Sequence, residues 1–555
     1  EEKEKEAQRL NLPRHFSIFD KDDSKRAVKE ALVNVGLDPK THEPERILGI
    51  ISKEKSRDTT FDEYAVHSEG GYFAGTVTDV WKEYEKLLAR DKALDFDDLL
   101  LKTVRLLRTN SAVRDHYRKI WKYIHIDEYQ DTNKVQYEIV QLMVGEEHNI
   151  AVVGDIDQNI YSWRGADIQN ILKFEKDYPE AKIVLLEENY RSTKNILNAA
   201  NTVIEKNKIR VKKNLFTANS AGDKIGLFTG FDEVSEAEFV ALKAEEMIRA
   251  GVYPEEIAAL YRANFQSRVL EEAFLEHKVP YQLLGTRFFE RKEIKDVVSY
   301  LRAALNEDCL SDVKRVINIP ARGIGKATIA KIFAGDESIL PAGTRQKIAD
   351  FRRLLSEIRE KAKTARPSET ISFIISASGM EGEWKTGTSE ELDRLENAYE
   401  LSAFASRYDH LEPEEGVENF LSDAALQSDQ DELAEQKNGV RLMTVHASKG
   451  LEFDTVFITG LEDGLFPHQR ITKEGITAEE AEEERRLFYV ALTRARKKIF
   501  LAYAQVRTIF GQRQVNIPSE FIFDIPPELT EEVEWGEPDM PRPDKRRRPL
   551  LEIDF

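Results

Sequence analysis

Two adjacent carboxylates close an apolar run at Ile124-His125-Ile126-Asp127-Glu128. A strand that ends in acids sets them at the C-terminal edge of a sheet, where open α/β sheets hold their ligands. Hydrolysis of a nucleoside triphosphate needs one acid to hold magnesium and a second to orient or deprotonate water. Asp127 followed by Glu128 fits that division. The same pair also fits a plainer role, as a cap for the helix that follows. A second stretch, GDIDQNIYSWRGAD from Gly154 to Asp167, directly follows the run NIAVV. It brings Gln158 near the same ligand edge and sets Tyr161, Trp163 and Arg164 a few residues on. Rings beside a guanidinium make a stacking platform for single-stranded bases. Polar residues interleave with these rings, which disfavours a core strand, whose partners would be apolar.

The elements around these stretches predict an α/β chain. WKYIHIDE, NIAVVGD and AKIVLLEE are short β-rich runs separated by helical segments such as NKVQYEIVQLMV, the pattern of a parallel sheet with helices on it. Before them, DKDDSKRAVKEALVNVG offers a cap, a helical apolar rhythm and a closing Gly36, and VTDVWKEYEKLLARDKA is a second helix. A second alternating region holds KIGLFTG, EIAALYR and VPYQLLG as strands, with a helix from Ser235 to Gly251 between the first two. The strand signal then gives way to helices, including KEIKDVVSYLRAAL and TRQKIADFRRLLSEIREKAKT. It resumes with VRLMTVHA, TVFITG and KIFLAYA. A helical block thus interrupts an α/β domain.

Composition narrows the class. A chain of 555 residues is too long for one core. The single cysteine, Cys309, excludes a disulfide within the chain and argues against a cysteine-built zinc site, so a reducing cytoplasm is the simplest setting. No apolar run is long enough to span a membrane, so no membrane partner is expected. The net charge of −20 does not point to nucleic acid, but binding depends on the local field of one cleft rather than on the average.

Taken together, IDEYQDTN, GDIDQNIYSWRGAD and LEENYRST resemble motifs II, III and IV of the superfamily 1 DNA helicases of the UvrD/Rep/PcrA type. VRLMTVHASKGLEFDTVFITGLEDGLFPH resembles their motif V with its extension, and EEERRLFYVALTRARKKIFL their motif VI. The motifs fall in the family's order, and the resemblance runs from near Asn11 to about Pro526. It implies an α/β fold of two RecA-like P-loop NTPase motor domains, the first incomplete, each with a mainly helical inserted domain. The expected insertion of the first motor spans 1–92 and its remainder 93–188. The second motor spans 189–288 and 438–526, interrupted by an insertion over 289–437, and 527–555 is a flexible tail.

At the matching positions the resemblance implies ATP and Mg2+ as ligands. Asp127 would hold the magnesium, Glu128 would be the catalytic base, and Gln158 would sense the γ-phosphate. Tyr190 would stack on adenine, Arg191 and Arg494 would reach the γ-phosphate from the second motor, and Glu452 beside Gly450 would contact ribose or phosphate. For DNA it implies Tyr161, Trp163 and Arg164, then Thr444 and His446, and Phe96 in DFDDLL. Phe96 and His446 also fit ordinary core and structural roles. Asn318-Ile319-Pro320-Ala321-Arg322-Gly323-Ile324-Gly325 resembles a duplex-contacting loop, with Arg322, Gly323 and Gly325 as contacts, and fits a plain tight turn equally well.

The implied activity is an ATP-dependent 3′-5′ DNA helicase or translocase working on single strands and single-strand/duplex junctions, among repair or replication proteins. A catalytically inactive DNA-binding relative is the alternative. A helicase–nuclease subunit is disfavoured, because too little chain follows Arg494 for a nuclease domain. The motif G-x-x-x-x-G-K-[ST] is not among these residues: the sole Gly-Lys pair is Gly325-Lys326, with Pro320 five residues before Gly325. That loop supplies N–H groups, a lysine and a hydroxyl to the phosphates and magnesium. The expectation is therefore an incomplete product of a longer helicase gene, unable by itself to unwind DNA, with an uncovered apolar strand edge in its first sheet.

Overall fold

The computed structural model describes residues 17–533 apart from 40, 68–70, 307–309, 334–338, 434–437, 469–476 and 510–511. Of the four helices that come first, three are long, α1 (Lys21–Asn34), α2 (Pro44–Lys55) and α3 (Tyr72–Arg90), with the short helix Phe61–His67 between the last two. Asp20 opens α1 with a capping box through Asp23, and Gly36 follows it with φ of 79°. Val28, Ile51, Val77, Trp81 and Tyr84 close a core among these helices, with Ala93 in it and Phe61 and Tyr64 packed against it.

From α4 (Phe96–Thr109) the chain builds its first lobe. Strands β1 (Ile124–Ile126) and β2 (Ile150–Val152) pair in parallel, Ile124 opposite Ile150, and α5 (Lys134–Met143) lies between them in the chain. The third strand expected here, AKIVLLEE, does not form. Residues 181–187 belong to no ladder, and Ile183, Val184, Leu185 and Leu186 are all exposed. β-branched residues suit a run to pairing, but a ladder needs a neighbouring edge, and no described strand lies along this one. Val153 and Tyr123, which flank β2 and β1, are exposed as well.

The second lobe is a seven-stranded parallel sheet. Its strands are β3 (Ile225–Gly230), β4 (Ile257–Tyr261), β5 (Tyr281–Leu283), β6 (Val440–Thr444), β7 (Phe453–Ile458), β8 (Ala495–Ala504) and β9 (Thr530–Glu532), ordered β9-β3-β8-β7-β4-β6-β5. β4, IAALY, is buried at every residue because helices cover both faces. On one face lie α6 (Lys194–Ile204) and, from the C-terminal part of the chain, the helix Ala478–Leu492; on the other lie α7 (Glu233–Arg249) and α8 (Ser267–Glu276).

Between β5 and β6 the chain leaves the sheet for a helical insertion. Besides the short helices Leu310–Val316 and Lys326–Phe333, it contains α9 (Lys292–Leu305), α10 (Ala342–Thr364), α11 (Pro367–Ala377), α12 (Met380–Lys385), α13 (Ser389–Ala405) and α14 (Pro413–Leu433). Its own core includes Ile294, Tyr300, Phe351, Ile374, Phe404 and Phe420. Ala478–Leu492 is α15.

Part of the stretch expected as tail belongs to the sheet instead. Thr530–Glu532 pair in register with Ile225–Leu227 and close the sheet edge, and Val533 packs on the core behind it. The acidic composition hid a strand whose value lies in covering the β3 edge. The basic cluster Lys545–Arg548 lies outside the described residues. No helix among the described residues is long and apolar enough to cross a membrane.

Candidate functional site

β1 delivers Asp127 and Glu128 to its C-terminal end, both exposed. Glu128 adopts the left-handed conformation, φ 51°, which turns the chain sharply off the strand, and its N–H donates to Asp127 Oδ1 at 2.9 Å. Gln130, fully buried, donates from Nε2 to Glu128 Oε2 at 2.7 Å and accepts the Asp155 N–H at 3.0 Å. The second motif is thereby fastened to the first. A Cβ on Gly154 would sit 2.6 Å from Gln130 Oε1, so only glycine allows this approach.

Beyond Gly154 the side chains reach the other lobe. Asp155 accepts from Gln158 Nε2 at 2.9 Å, which fixes the amide so that its oxygen faces outward. That oxygen accepts from Arg494 Nη2 at 3.4 Å. Asp155 and Asp157 are ion-paired with Lys213, and Asp157 also with Arg210, both from the segment after α6. Arg494, at the end of α15, is 2% exposed and donates to the carbonyls of Val490 and Leu451 at 3.1 and 3.2 Å. Burial and the neighbouring Arg191 cation pull its pKa down to about 10, so it remains charged at neutral pH. Arg191 donates to Glu452 Oε2 at 2.6 Å and to the Thr493 carbonyl at 3.1 Å. This bond holds the Glu452 carboxyl below its usual range. Gly450, φ 82°, turns the chain two residues before Glu452. Tyr190 projects its ring into solvent, 77% exposed, with its hydroxyl on Glu188 at 2.8 Å.

Lys449 was not singled out from the sequence. Its ammonium pairs with Asp131, donates to the Gln158 carbonyl at 2.8 Å, lies 3.7 Å from Glu128 Oε2 and sits 5.1 Å from the centre of the Tyr161 ring. One cation thus touches the acids, the Gln158 turn and the first platform ring. Burial pushes the Asp131 carboxyl up, and Lys449 opposes the shift.

The rings form one cluster. Tyr161 and Trp163 are 6.4 Å apart, Tyr161 and His446 6.4 Å, and Trp163 meets His446 edge-on at 6.3 Å. Tyr161 donates to the His446 carbonyl at 3.3 Å, and Ser162 binds Glu483 of α15, so the platform bridges both lobes. Trp163 is 57% exposed. Thr444 ends β6 and takes the Ala447 N–H on its hydroxyl at 3.3 Å, shaping the turn that carries His446. The Arg164 backbone closes the short turn Ser162–Arg164. Phe96 opens α4 and is exposed, and among the described residues no ring contact joins it to this cluster.

Residues 3–179 match the UvrD/REP helicase N-terminal domain, and residues 184–341 and 342–506 match the UvrD-like helicase C-terminal domain. The ATP-dependent DNA helicase PcrA of Staphylococcus epidermidis strain RP62A is 42% identical over 544 residues, which cover 95% of this chain and 74% of that protein. PcrA of Staphylococcus aureus strain MRSA252 is 41% identical over 547 residues with the same coverage. The chain belongs to the UvrD/REP helicase family. The α/β motor fold read from its sequence is therefore the family's own, with the large parallel sheet as its second lobe.

Within this UvrD/REP chain, the loop after the helix Leu310–Val316 holds its residues differently from a simple phosphate cradle. Asn318 Oδ1 accepts the N–H groups of Arg322, Gly323 and Ile324 at 2.8, 2.9 and 3.1 Å. The Arg322 guanidinium turns inward, donating to the carbonyls of Ile319 at 2.9 Å and Ser378 at 3.0 Å over the rings of Tyr300 and Phe351. In this arrangement Arg322 braces the loop and Gly323 spends its N–H within it, while Gly325 is exposed at the start of the next helix.

The chemistry of the donor set suits magnesium. That ion keeps most of its water and asks for one or two carboxylates beside substrate phosphates, which Asp127 with Glu128 provides. Among the described residues no group of three or more potential ligands forms a closed metal cage.

Proposed function

We propose that this chain is the motor of an ATP-dependent DNA helicase that moves 3′ to 5′ along single strands and at junctions with duplex, in repair or replication in the cytoplasm. The observation that carries the proposal is the Gln158–Arg494 contact at 3.4 Å. It joins the lobe with the acids to the lobe with the guanidinium groups, one turn away from the ring cluster. Asp127 would hold magnesium, which neutralises charge on the phosphate oxygens when bound. Glu128 would take the proton of the attacking water, kept in register by Gln130. Arg191 and Arg494 would face the charge that develops on the transferred phosphoryl group. Tyr190, Gly450 and Glu452 line the same side of the second lobe and would receive the nucleoside. Gln158 would report phosphate to the turn that carries Tyr161, Trp163 and Arg164. Thr444, His446 and Phe96 would extend the strand's track. The shared Staphylococcus relatives, named as ATP-dependent DNA helicases, support this reading.

The test pairs two measurements. Hydrolysis of ATP by the chain carrying a phosphate-loop segment at its N-terminus is expected to rise at least tenfold with an oligo-dT strand. No stimulation, with strand binding intact, would leave the inactive DNA-binding alternative. In the unextended chain, Trp163→Ala is expected to weaken oligo-dT binding by roughly 5- to 100-fold, the worth of one stacked base. Unchanged affinity in a fluorescence-anisotropy titration removes the platform assignment.

A further inference from the structure

The stretch 205–215, which follows α6, forms neither helix nor strand, yet both of its ends are fixed. Glu482 of α15 accepts the N–H groups of Lys208 and Ile209 at 2.9 and 3.3 Å, and its carbonyl accepts from Asn207 Nδ2 at 2.9 Å. Arg486 of the same helix donates to the Ile209 carbonyl at 3.3 Å. Toward the other end, the Asn214 N–H donates to Glu187 Oε1 at 2.8 Å. A segment tied in this way holds its side chains in place before any ligand arrives.

Two cations of this stretch reach back to the first lobe. Lys213, its side chain 14% exposed, binds Asp155 Oδ1 and lies 3.3 Å from Asp157 Oδ2. Arg210 donates from Nη2 to the same Asp157 oxygen at 3.1 Å. Asp157 is fully buried, and neither its Oδ1 nor Arg210 Nε has a hydrogen-bond partner among the described residues. A buried ion pair with unmet polar atoms offsets little of its own desolvation, so stability alone does not account for this one. What it fixes is Asp155. With Oδ1 held by Lys213 and by the Asp157 N–H at 3.0 Å, Asp155 turns Oδ2 to Gln158 Nε2 at 2.9 Å. The Gln158 amide is thereby set with its oxygen toward Arg494.

We propose that Lys213, with Arg210 beside it, is a positioning residue for Gln158: a clasp from the second lobe that aims the amide through Asp155. The proposal rests on the reading of Gln158 as the link between phosphate and the ring platform. The contacts leave the second lobe at Lys213, pass through two first-lobe side chains and return to the second lobe at Arg494. Without the clasp, Asp155 loses the cation that sets its carboxylate, and the amide can rotate or exchange the places of its oxygen and nitrogen. A step that depends on placement is slowed by such a shift, whereas substrate binding made by other groups is not. Lys213 touches neither nucleotide nor strand in this account, and its whole effect passes through Asp155.

ATP hydrolysis by the chain carrying a phosphate-loop segment, at saturating oligo-dT, reads the clasp. Lys213→Met is expected to lower kcat roughly 10- to 100-fold while KM for ATP stays within about twofold. Lys213→Arg, which keeps a cation within reach of Asp155, is expected to restore most of the rate. Lys212→Met makes the same change of charge on the exposed side chain next to it and is expected to match the parent. Lys213→Met combined with Asp157→Asn leaves no buried carboxylate short of a cation, so it guards against a variant that fails to fold, and its kcat is expected to stay low. Amide exchange needs no ATP and uses the chain as it stands: residues 155–163 are expected to exchange faster in Lys213→Met than in the parent or in Lys213→Arg. A Lys213→Met kcat equal to the parent's overturns the clasp, as does a double variant restored to the parent's rate or equal exchange in all three chains. A parent that oligo-dT does not stimulate overturns instead the reading of Gln158 on which the clasp rests.

Discussion

Replacing Arg494 by alanine is expected to slow DNA-stimulated ATP hydrolysis by roughly 10³-fold or more, the worth of a guanidinium facing a transferring phosphoryl group. The expectation rests on how firmly the side chain is placed. It is 2% exposed, and carbonyls of Val490 and Leu451 hold its Nε and Nη1, which leaves Nη2 for Thr493 Oγ1 and Gln158. A cation fixed before substrate arrives costs little reorganisation during reaction. Arg494→Lys should recover little, since one ammonium cannot satisfy three separate directions. With a pKa near 10, the guanidinium should give a flat rate profile from neutral pH until that value is approached. Single-turnover hydrolysis by the chain carrying a phosphate-loop segment is the measurement, with oligo-dT affinity as control. A loss below tenfold with unchanged DNA affinity would falsify the assigned role.

Much of this site was legible because its residues sit in contiguous runs. Asp127, Glu128, Gln158, Tyr161 and Trp163 needed only a strand end and a turn to place them, and the apolar runs of β3, β4, β6 and β7 mark their own burial. What stayed hidden depends on partners far along the chain. Lys449 meets Asp131 and Gln158 from about three hundred residues away, and no local pattern announces that an ammonium will be buried between them. The same holds for Lys213 on Asp155. Arg322 shows the converse. Its sequence context suggested a phosphate contact, yet six carbonyl and ring neighbours draw it inward, because a loop between helices leaves carbonyls that need donors. The run AKIVLLEE and the segment Thr530–Glu532 failed in opposite directions for one reason: strand formation is decided by an available edge as much as by composition.

Lys55→Met is expected to destabilise the first lobe by about 3–5 kcal/mol, because it strands carboxylates for which this cation is the main partner, Lys102 reaching only Asp98 and only at 3.9 Å. The ammonium is buried and lies 2.8 Å from Glu85, 2.8 Å from Asp95 and 3.0 Å from Asp98. Tyr84 donates a further bond to Asp95 at 2.9 Å, and Asp95 in turn caps α4 through the Asp98 N–H at 2.7 Å. Phe96, the first residue of α4, owes its outward position to this anchor, so the substitution should also disturb whatever contact Phe96 makes with a strand. The three acids hold the Lys55 pKa well above its usual value against the opposing effect of burial. Its stabilisation is thus complete below the ordinary lysine range and is lost only as pH rises through the raised folded value. Asp98 behaves differently: burial raises it to about 6, and the stability it contributes on protonation is gone at neutral pH. Asp98→Asn should therefore restore part of the loss when combined with Lys55→Met, by removing one uncompensated charge. Urea unfolding of the single and double variants near neutral pH measures both effects. A double variant no more stable than Lys55→Met alone would show that the anchor acts through packing of the lysine stem rather than through charge.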